Sequence, residues 1–143
     1  FCAVGAQLEA GRVGNLEFIT WSEDTEVSAI QSMDIGVMPL PDTPWARGKC
    51  GYKLIQYMAC GLPVVASPVG VNKEIVEHGV NGFLAESEQE WRTAIEALIS
   101  DPDLRRRMGA AGRKKVENDY SLQVWGPRVA NMLRRVTNNG TTP

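Results

Sequence analysis

Residues 51–70, GYKLIQYMACGLPVVASPVG, contain a complete helix–strand unit of an α/β protein. The pattern predicts a helix over residues 53–60, which Gly61 ends because glycine readily takes the left-handed conformation after a last helical turn. Residues 62–66 form a continuous apolar run, which is typical of a strand buried on both faces of a parallel sheet. The turn SPVG then closes the unit.

The same alternation continues on both sides of this unit. Further strands are predicted at residues 1–4, 16–20, 35–38 and 82–85. Between them, Ser22 is a predicted N-cap of one helix, and Asn72 is predicted to cap a short helix that ends near His78. Because short apolar runs alternate with helical patterns, we expect an α/β fold with a Rossmann-like parallel sheet flanked by helices.

The C-terminal third of the sequence predicts helices only. Ser87 and Glu90 stand in capping-box register, and the next helix opens with a capping Asp101 followed by Pro102. A last helix is predicted from Ser121, and the proline within it predicts a kink or a late start. The resulting organisation is one domain over residues 1–136 and a disordered tail over residues 137–143.

Composition excludes several classes of protein. A chain of 143 residues with 43% hydrophobic and 22% charged residues is typical of one globular domain. The net charge of -2 provides no general attraction for nucleic acid or for an anionic membrane. Three cysteines without metal-ligand spacing predict free thiols and a cytoplasmic location. The sequence begins at Phe1 inside an apolar strand pattern without an initiator Met, so we expect it to be part of a longer protein.

Chemistry is expected at the carboxyl ends of the strands, where open parallel sheets bind ligands. The loop after Met38 ends in a glycine turn that leads into a helix, so free backbone N–H groups and the positive end of the helix dipole face that loop. Arg47, Lys49 and Lys53 add cationic side chains, and Gln56 follows one turn later. This combination predicts a diphosphate site, whereas GxGxxG and Walker lysine motifs are absent.

At this segment the sequence resembles a known family. GYKLIQYMACGLPVVASPVGVNKEIVEHGVNGFL is similar to the signature of family 4 retaining glycosyltransferases of the GT-B fold, which reads roughly EGFGLxxLEAMAxGxPVVAS followed by GGxxExVxxGxxGxL. The resemblance covers residues 16–121 and includes DIGVMPL and DPDLRRRMGAAGRKKV. It implies the C-terminal, donor-binding half of such an enzyme, truncated at its N-terminus.

The resemblance implies a hexosyltransferase that takes its donor from a UDP-, GDP- or ADP-sugar and needs no metal. The acceptor, a glycan, a lipid or a small molecule, is expected to bind a missing N-terminal domain of the same protein, so the chain is expected to be inactive alone. Nucleic acid is not an expected partner, and peripheral membrane association of the full-length enzyme stays open. Two alternatives are a non-catalytic nucleotide-binding or assembly module and an epimerase with GT-B halves.

Site residues follow from the resemblance position by position. The two family glutamates fall at Gly48 and Gln56, so the sugar contact at residue 48 is left to the backbone and the ribose contact to an uncharged amide. The predicted binding residues are Gly48, Lys49, Gly51, Tyr52, Lys53, Gln56, Val69, Gly70 and Val71. In the front-face mechanism that the family implies, Lys53 is the predicted catalytic residue, because its ammonium stabilises the departing diphosphate.

Four other features have alternative interpretations. His78 is predicted to cap a helix C-terminus rather than to act in catalysis. Trp21 either stacks on a nucleotide base or fills the core, and Trp45 is a candidate for contact with sugar or with a partner domain. The basic runs at residues 105–107 and 113–115 are predicted to be solvated helix faces.

Overall fold

The computed structural model describes residues 1–4 and 11–139. The chain divides into two compact units, Phe1–Asp34 and Ile35–Pro143. The first unit contains β1 (Cys2–Val4), β2 (Gly11–Val13), β3 (Leu16–Ile19) and α1 (Glu23–Gln31). The second contains three further strands and six helices among its described residues.

In the first unit, β3 pairs parallel with β1 and antiparallel with β2. The β2–β3 hairpin turns at Gly14, whose φ of 59° is accessible to glycine without steric cost. This hairpin was not predicted, because the three-residue strand β2 has too few residues to display an alternating pattern.

The start of α1 agrees with the prediction in position but not in chemistry. Ser22 is the N-cap residue, yet its side chain makes no capping hydrogen bond. Its hydroxyl instead pairs with the Thr25 hydroxyl at 2.6 Å. The indole of Trp21 donates to a Glu26 carboxylate oxygen at 2.8 Å and is 51% exposed, so the alternative in which it fills the core is wrong.

The second unit is built on a parallel sheet in the order β4 (Gly36–Met38), β5 (Val64–Ala66), β6 (Gly82–Leu84). All three residues of β5 are fully buried. Val64 and Ala66 belong to one hydrophobic cluster and Val65 belongs to another, so apolar side chains cover both faces of the central strand. This confirms the prediction from the run LPVVA.

Six helices complete the described part of this unit. They are α2 (Pro44–Arg47), α3 (Tyr52–Ala59), α4 (Asn72–Ile75), α5 (Glu88–Ser100), α6 (Pro102–Asp119) and α7 (Leu122–Asn139). Leu54 and Met58 of α3 pack with Val116 of α6 on one face of the sheet, whereas Leu98 of α5 and Met108 of α6 pack on the other.

Most predicted helix boundaries are confirmed. Gly61, with φ of 79°, follows the last turn of α3. Ser87 and Glu90 form both hydrogen bonds of a capping box, and the Asp101 side chain accepts from Leu104 N at 2.8 Å. Helix α2 was not predicted, because a four-residue helix behind a Thr43 N-cap lies inside what composition alone makes a Gly/Pro-rich loop.

Three predictions are corrected in this unit. Asn72 lies inside α4 rather than capping it, and its buried amide donates to Ser67 O. Helix α4 ends at Ile75, so His78 caps no helix; its Nδ1 accepts from Leu84 N at 3.1 Å. These positions depend on where the chain turns back toward β6, which local capping rules do not encode.

The last helix extends further than predicted. Helix α7 starts at Leu122, so Pro127 lies inside it and does not delay its start. It continues to Asn139, three residues past the predicted domain boundary at residue 136. The remainder of the predicted disordered tail, residues 140–143, lies outside the described residues.

The capping-box hydrogen bonds predict that Glu90 has a lower pKa in the folded chain than in the unfolded chain. The backbone N–H groups of Ser87 and Glu86 donate to its carboxylate and hold the pKa of that carboxyl below its usual range. Because the folded-state pKa is lowered, the associated stability is present above the unfolded pKa and is lost as the pH falls through the lowered value. Carboxyl NMR should therefore show Glu90 titrating at lower pH in the folded chain than in the urea-unfolded chain; an equal or higher midpoint contradicts the prediction.

Candidate functional site

The N-terminus of α3 is an open hydrogen-bond donor site. The carbonyl of Gly51 accepts the first intrahelical bonds, from Leu54 N at 2.9 Å and Ile55 N at 3.3 Å. The N–H groups of Tyr52 and Lys53 precede these donors and therefore have no acceptor within the helix. Together with the helix dipole they form a site that favours a negatively charged group.

Gly51 is required there for two reasons. Its φ of 68° lies in the left-handed region, and a Cβ would overlap Ile75 Cδ1 and lie 3.1 Å from Val71 Cγ1. The start of α3 is thus packed directly onto α4 and the loop before it. This contact places the predicted residue Val71, half-buried against the core, beside the predicted turn at Gly51.

The loops after β4 and β5 meet at a second glycine. Gly70 has φ of 55°, and a Cβ at this position would lie 2.6 Å from Arg47 O. Val69 beside it is buried, with 7% of its surface exposed. The structure therefore brings the predicted loop over residues 69–71 against the end of α2, as expected for two loops at one edge of a parallel sheet.

The cationic side chains divide into two kinds. Arg47 makes a two-pronged ion pair with Asp42, with Nε–Oδ1 at 2.6 Å and a second nitrogen at 2.9 Å from Oδ2. This pair lowers the pKa of Asp42 and raises that of Arg47. In residues 1–4 and 11–139, no carboxylate pairs with Lys49 or Lys53, and both are exposed. The predicted cluster of three available cations is thus reduced to two lysines.

The remaining predicted residues lie around this turn with different exposure. Gly48 is the C-cap residue of α2 and has an exposed backbone. Tyr52 is 60% exposed, whereas Gln56 is half-buried one turn further along α3. The indole of Trp45 is 82% exposed and available for contact with a ligand or another domain.

Two polar residues at this edge were not identified as functional candidates from the sequence. Ser67 is 7% exposed and follows β5 directly; its hydroxyl accepts from Leu40 N at 2.9 Å. Asn72 is 1% exposed, and its amide donates to Ser67 O at 3.0 Å. The available signal was a small polar residue at the end of an apolar strand, which predicted no more than a turn.

The basic runs of α6 form ion pairs along the surface of the helix, in agreement with the prediction of solvated helix faces. Arg106 pairs with Asp103, and Arg113 pairs with Glu117 at 2.7 Å. Arg105 donates to the carbonyl of Leu98 at 2.6 Å. Each of these three arginines therefore has a hydrogen-bond or ion-pair partner within the same unit. The three cysteines are free thiols, as predicted.

Neither a metal-binding cluster nor a membrane-spanning helix is found in the described part of the chain. Among the described residues, no group of three or more His, Cys, Asp or Glu side chains is arranged to hold a metal ion. Within the same part of the chain, none of the helices combines the length and the apolar character that crossing a bilayer requires.

Comparison with known proteins decides the family. A family model described as glycosyl transferases group 1 matches residues 7–115. The chain belongs to this family. The matched range contains α3, both loops and every predicted site residue. Parallel strands flanked by helices also form the fold of solved GT-B glycosyltransferases, to which this chain is similar with TM-scores of 0.70.

Several curated proteins and solved structures are similar to part of this chain. Human alpha-1,3/1,6-mannosyltransferase ALG2 is 41% identical over 70 residues, which is 48% of this chain and 16% of that protein. HepE of Anabaena, solved in complex with UDP-glucose, is 25% identical with a TM-score of 0.70, covering 85% of this chain and 33% of that chain. The C-terminal domain of LpcC from Francisella tularensis, a group 1 family protein, is 25% identical with a TM-score of 0.58, covering 74% and 55%.

The matches to curated relatives cover a much larger fraction of this chain than of the related proteins. The chain spans about a fifth of the length of the curated relatives it matches first. Whatever the remaining four fifths of such proteins contribute is therefore outside this chain.

Proposed function

We propose that this chain is the donor-binding, C-terminal half of a family 4 retaining glycosyltransferase, and that its site binds the diphosphate of a nucleotide sugar. The transferred sugar is a hexose, and the acceptor is a glycan, a lipid or a small molecule. The observation that carries this proposal is the turn at Gly51. There the N–H groups that open α3, and a lysine that pairs with no carboxylate in the described part of the chain, meet two converging loops.

A diphosphate suits this site for physical reasons. Phosphate oxygens accept hydrogen bonds from backbone N–H groups at a helix N-terminus, and the helix dipole favours their negative charge. Lys53 in the first turn of α3 adds a full positive charge without a competing carboxylate among the described residues. HepE, which shares this fold, was solved with UDP-glucose, and the C-terminal position agrees with the match to the LpcC domain.

The proposed contribution to chemistry is the stabilisation of charge. When the bond between sugar and diphosphate breaks, negative charge grows on the leaving phosphate oxygens, and donors already aimed at them lower the barrier. Lys53 and the N–H groups of Tyr52 and Lys53 perform this role. The leaving phosphate itself accepts the proton of the acceptor in the front-face mechanism, so this half provides no general base.

Two substitutions shape the rest of the donor site. At residue 48 a glycine leaves only its backbone N–H and C=O for the sugar hydroxyls. Gln56, half-buried on α3, presents an uncharged amide for the ribose hydroxyls. The loss of two carboxylates also removes negative charge near the diphosphate, which strengthens the local attraction for it.

The other partners are proposed on the same basis. An acceptor-binding domain N-terminal to this chain would complete the cleft, and the chain alone would be inactive. The proposed location is the cytoplasm, and the proposed chemistry requires no metal. Peripheral membrane association of the full-length enzyme is compatible with a lipid acceptor.

A second candidate is a nucleotide-binding module without transfer activity. The observation that favours it is the glycine at residue 48 and the glutamine at residue 56, in the positions where the resemblance expects glutamates. Both candidates bind a nucleoside diphosphate, but only the first cleaves a donor sugar. A full-length protein that binds UDP and never releases sugar from UDP-, GDP- or ADP-glucose would favour the second.

Binding to the chain itself is tested by titration with UDP, GDP and ADP while amide shifts of residues 48–56 are followed by NMR. We expect at least one nucleotide to bind, and Lys53→Ala to weaken that binding about tenfold, because a charge-assisted hydrogen bond contributes about 1.5 kcal/mol or more. Lys114→Ala, an exposed lysine of α6, removes the same charge elsewhere and should leave affinity unchanged. No response to any of the three nucleotides would refute the donor site.

A further inference from the structure

A buried set of hydrogen bonds connects the two loops of the donor site. The Ser67 hydroxyl accepts from Leu40 N at 2.9 Å, at the start of the loop after β4. The Ser67 carbonyl accepts from Val69 N at 2.8 Å and from the Asn72 amide at 3.0 Å, across the loop after β5. Ser67 therefore holds a residue of each loop through its own two oxygens.

Because these polar groups are buried, each of them needs a hydrogen-bond partner within the protein. Ser67 is 7% exposed and Asn72 is 1% exposed, so neither side chain has ready access to water. Polar groups at such positions destabilise a fold unless each is hydrogen-bonded. An apolar side chain would fill the position of Asn72 without that requirement. The Asn72 amide instead fixes the position of the Ser67 carbonyl by donating to it.

The network lies directly beneath the proposed diphosphate site. Asn72 Oδ1 lies 3.6 Å from where a Cβ of Gly51 would stand, at the turn that opens α3. From Ser67 the chain passes through Val69 to Gly70, which packs on the backbone of Arg47. Each wall of the site is thus hydrogen-bonded to Ser67 or lies beside Ser67 or Asn72.

We propose that Ser67 and Asn72 are positioning residues for the donor diphosphate. They do not touch the ligand; they hold the loop after β4, the loop after β5 and the turn at Gly51 in the arrangement that binds it. This inference rests on the proposed donor-binding function. Loops held in place before binding lose less conformational entropy when the ligand arrives, so the network contributes to affinity.

Ser67→Ala is the sharpest test, because it removes one acceptor and leaves the backbone of Ser67 in place. Without the hydroxyl, the Leu40 N–H loses its partner and the loop after β4 is released at that end. We expect faster hydrogen exchange at Leu40 in the ligand-free chain. We also expect about fivefold weaker binding of whichever of UDP, GDP and ADP the unaltered chain binds, and this nucleotide takes the place of UDP in the comparisons that follow. Asn72→Ala, which frees the other side of the network, should weaken UDP binding by a similar factor.

The matched control is Val65→Ala, a large-to-small change in the same strand that faces the other hydrophobic cluster. It should lower the urea midpoint of unfolding at least as much as Ser67→Ala, while UDP affinity stays within about twofold because the loops keep their hydrogen bonds. If Ser67 and Asn72 contributed to stability alone, all three variants, including Val65→Ala, would weaken UDP binding in proportion to their loss of stability.

The outcomes separate the two proposals. Failure of the unaltered chain to bind UDP, GDP or ADP refutes the donor-binding function, and exchange at Leu40 still reports whether the Ser67 hydrogen bond exists. If the unaltered chain binds, unchanged affinity in both Ser67→Ala and Asn72→Ala overturns the positioning role. Equal weakening by Val65→Ala overturns it as well.

Discussion

Replacing Gly70 by alanine is expected to weaken nucleotide binding about thirtyfold, which corresponds to about 2 kcal/mol. A Cβ at this position would lie 2.6 Å from Arg47 O, and a backbone carbonyl cannot move aside as a flexible side chain can. The two loops that form the walls of the proposed site would therefore separate. Titration with UDP, followed by amide shifts or calorimetry, measures the effect.

Gly79→Ala is the matched control for this variant. Gly79 has φ of 82°, so alanine there also enters the left-handed region, where a side chain costs about 1 kcal/mol. No atom lies within 4 Å of its added Cβ, and both glycines are exposed. Gly79→Ala should lower the urea midpoint but leave UDP affinity unchanged. If both variants weaken UDP binding equally, the contact between Gly70 and Arg47 has no role in the site.

The second large effect is on stability. Gly109→Ala is expected to lower the free energy of unfolding by about 2 kcal/mol, measured by urea denaturation. Helix α6 crosses the turn between α3 and β5 so closely that a Cβ on Gly109 would overlap the carbonyl oxygen of Gly61. Alanine favours a helix interior by about 1 kcal/mol over glycine, but the overlap with fixed backbone exceeds that gain.

Gly112→Ala provides the comparison on the same helix. Its Cβ would lie 2.9 Å from Met58 Cγ, and a methionine side chain adapts more easily than a carbonyl. The gain in helix propensity is the same, so the net loss should be within about 1 kcal/mol. A greater loss for Gly112→Ala than for Gly109→Ala would show that the close approach of α6 to Gly61 is not what limits the packing.

Much of the second unit could be predicted from local rules. The capping box at Ser87 and Glu90, the Asp101 cap and the stop at Gly61 all involve groups within a few residues of one another. Such interactions are nearly the same in a peptide and in a folded protein. The buried strand β5 was equally predictable, because only burial on both faces explains five successive apolar residues.

The errors occurred at side chains whose hydrogen-bond partners lie outside the predicted helix, in the preceding loop or the following strand. Asn72 has the composition of a helix cap, but its amide is taken by Ser67 O and it lies inside α4. His78 has the position of a C-cap residue, but α4 ends early and its ring accepts from Leu84 N. In each case a hydrogen bond to a residue five or six positions away, outside the helix, replaced the predicted cap.

In the candidate site, too, one feature was predicted correctly from the sequence and another was not. The glycine turn and helix start at residues 51–53 predicted an anion site, and the structure retains its free donors there. Arg47 was predicted to face the same anion, but its guanidinium makes a two-pronged pair with Asp42, five residues before it. The presence of basic residues in a loop does not predict which partner each of their side chains contacts.

Family membership, the order of the helices and strands other than β2 and α2, and the glycine turn at Gly51 are readable from the linear chain, because each depends on short-range patterns of residue type. The convergence of the two loops at Gly70, the pairing of Arg47 and the buried contacts of Ser67 and Asn72 exist only in the folded chain. Parallel strand pairing places the carboxyl ends of β4 and β5 side by side, which brings Gly70 to Arg47 and Leu40 to Ser67. The contacts of Arg47 with Asp42 and of Asn72 with Ser67 depend instead on how each loop folds back on itself.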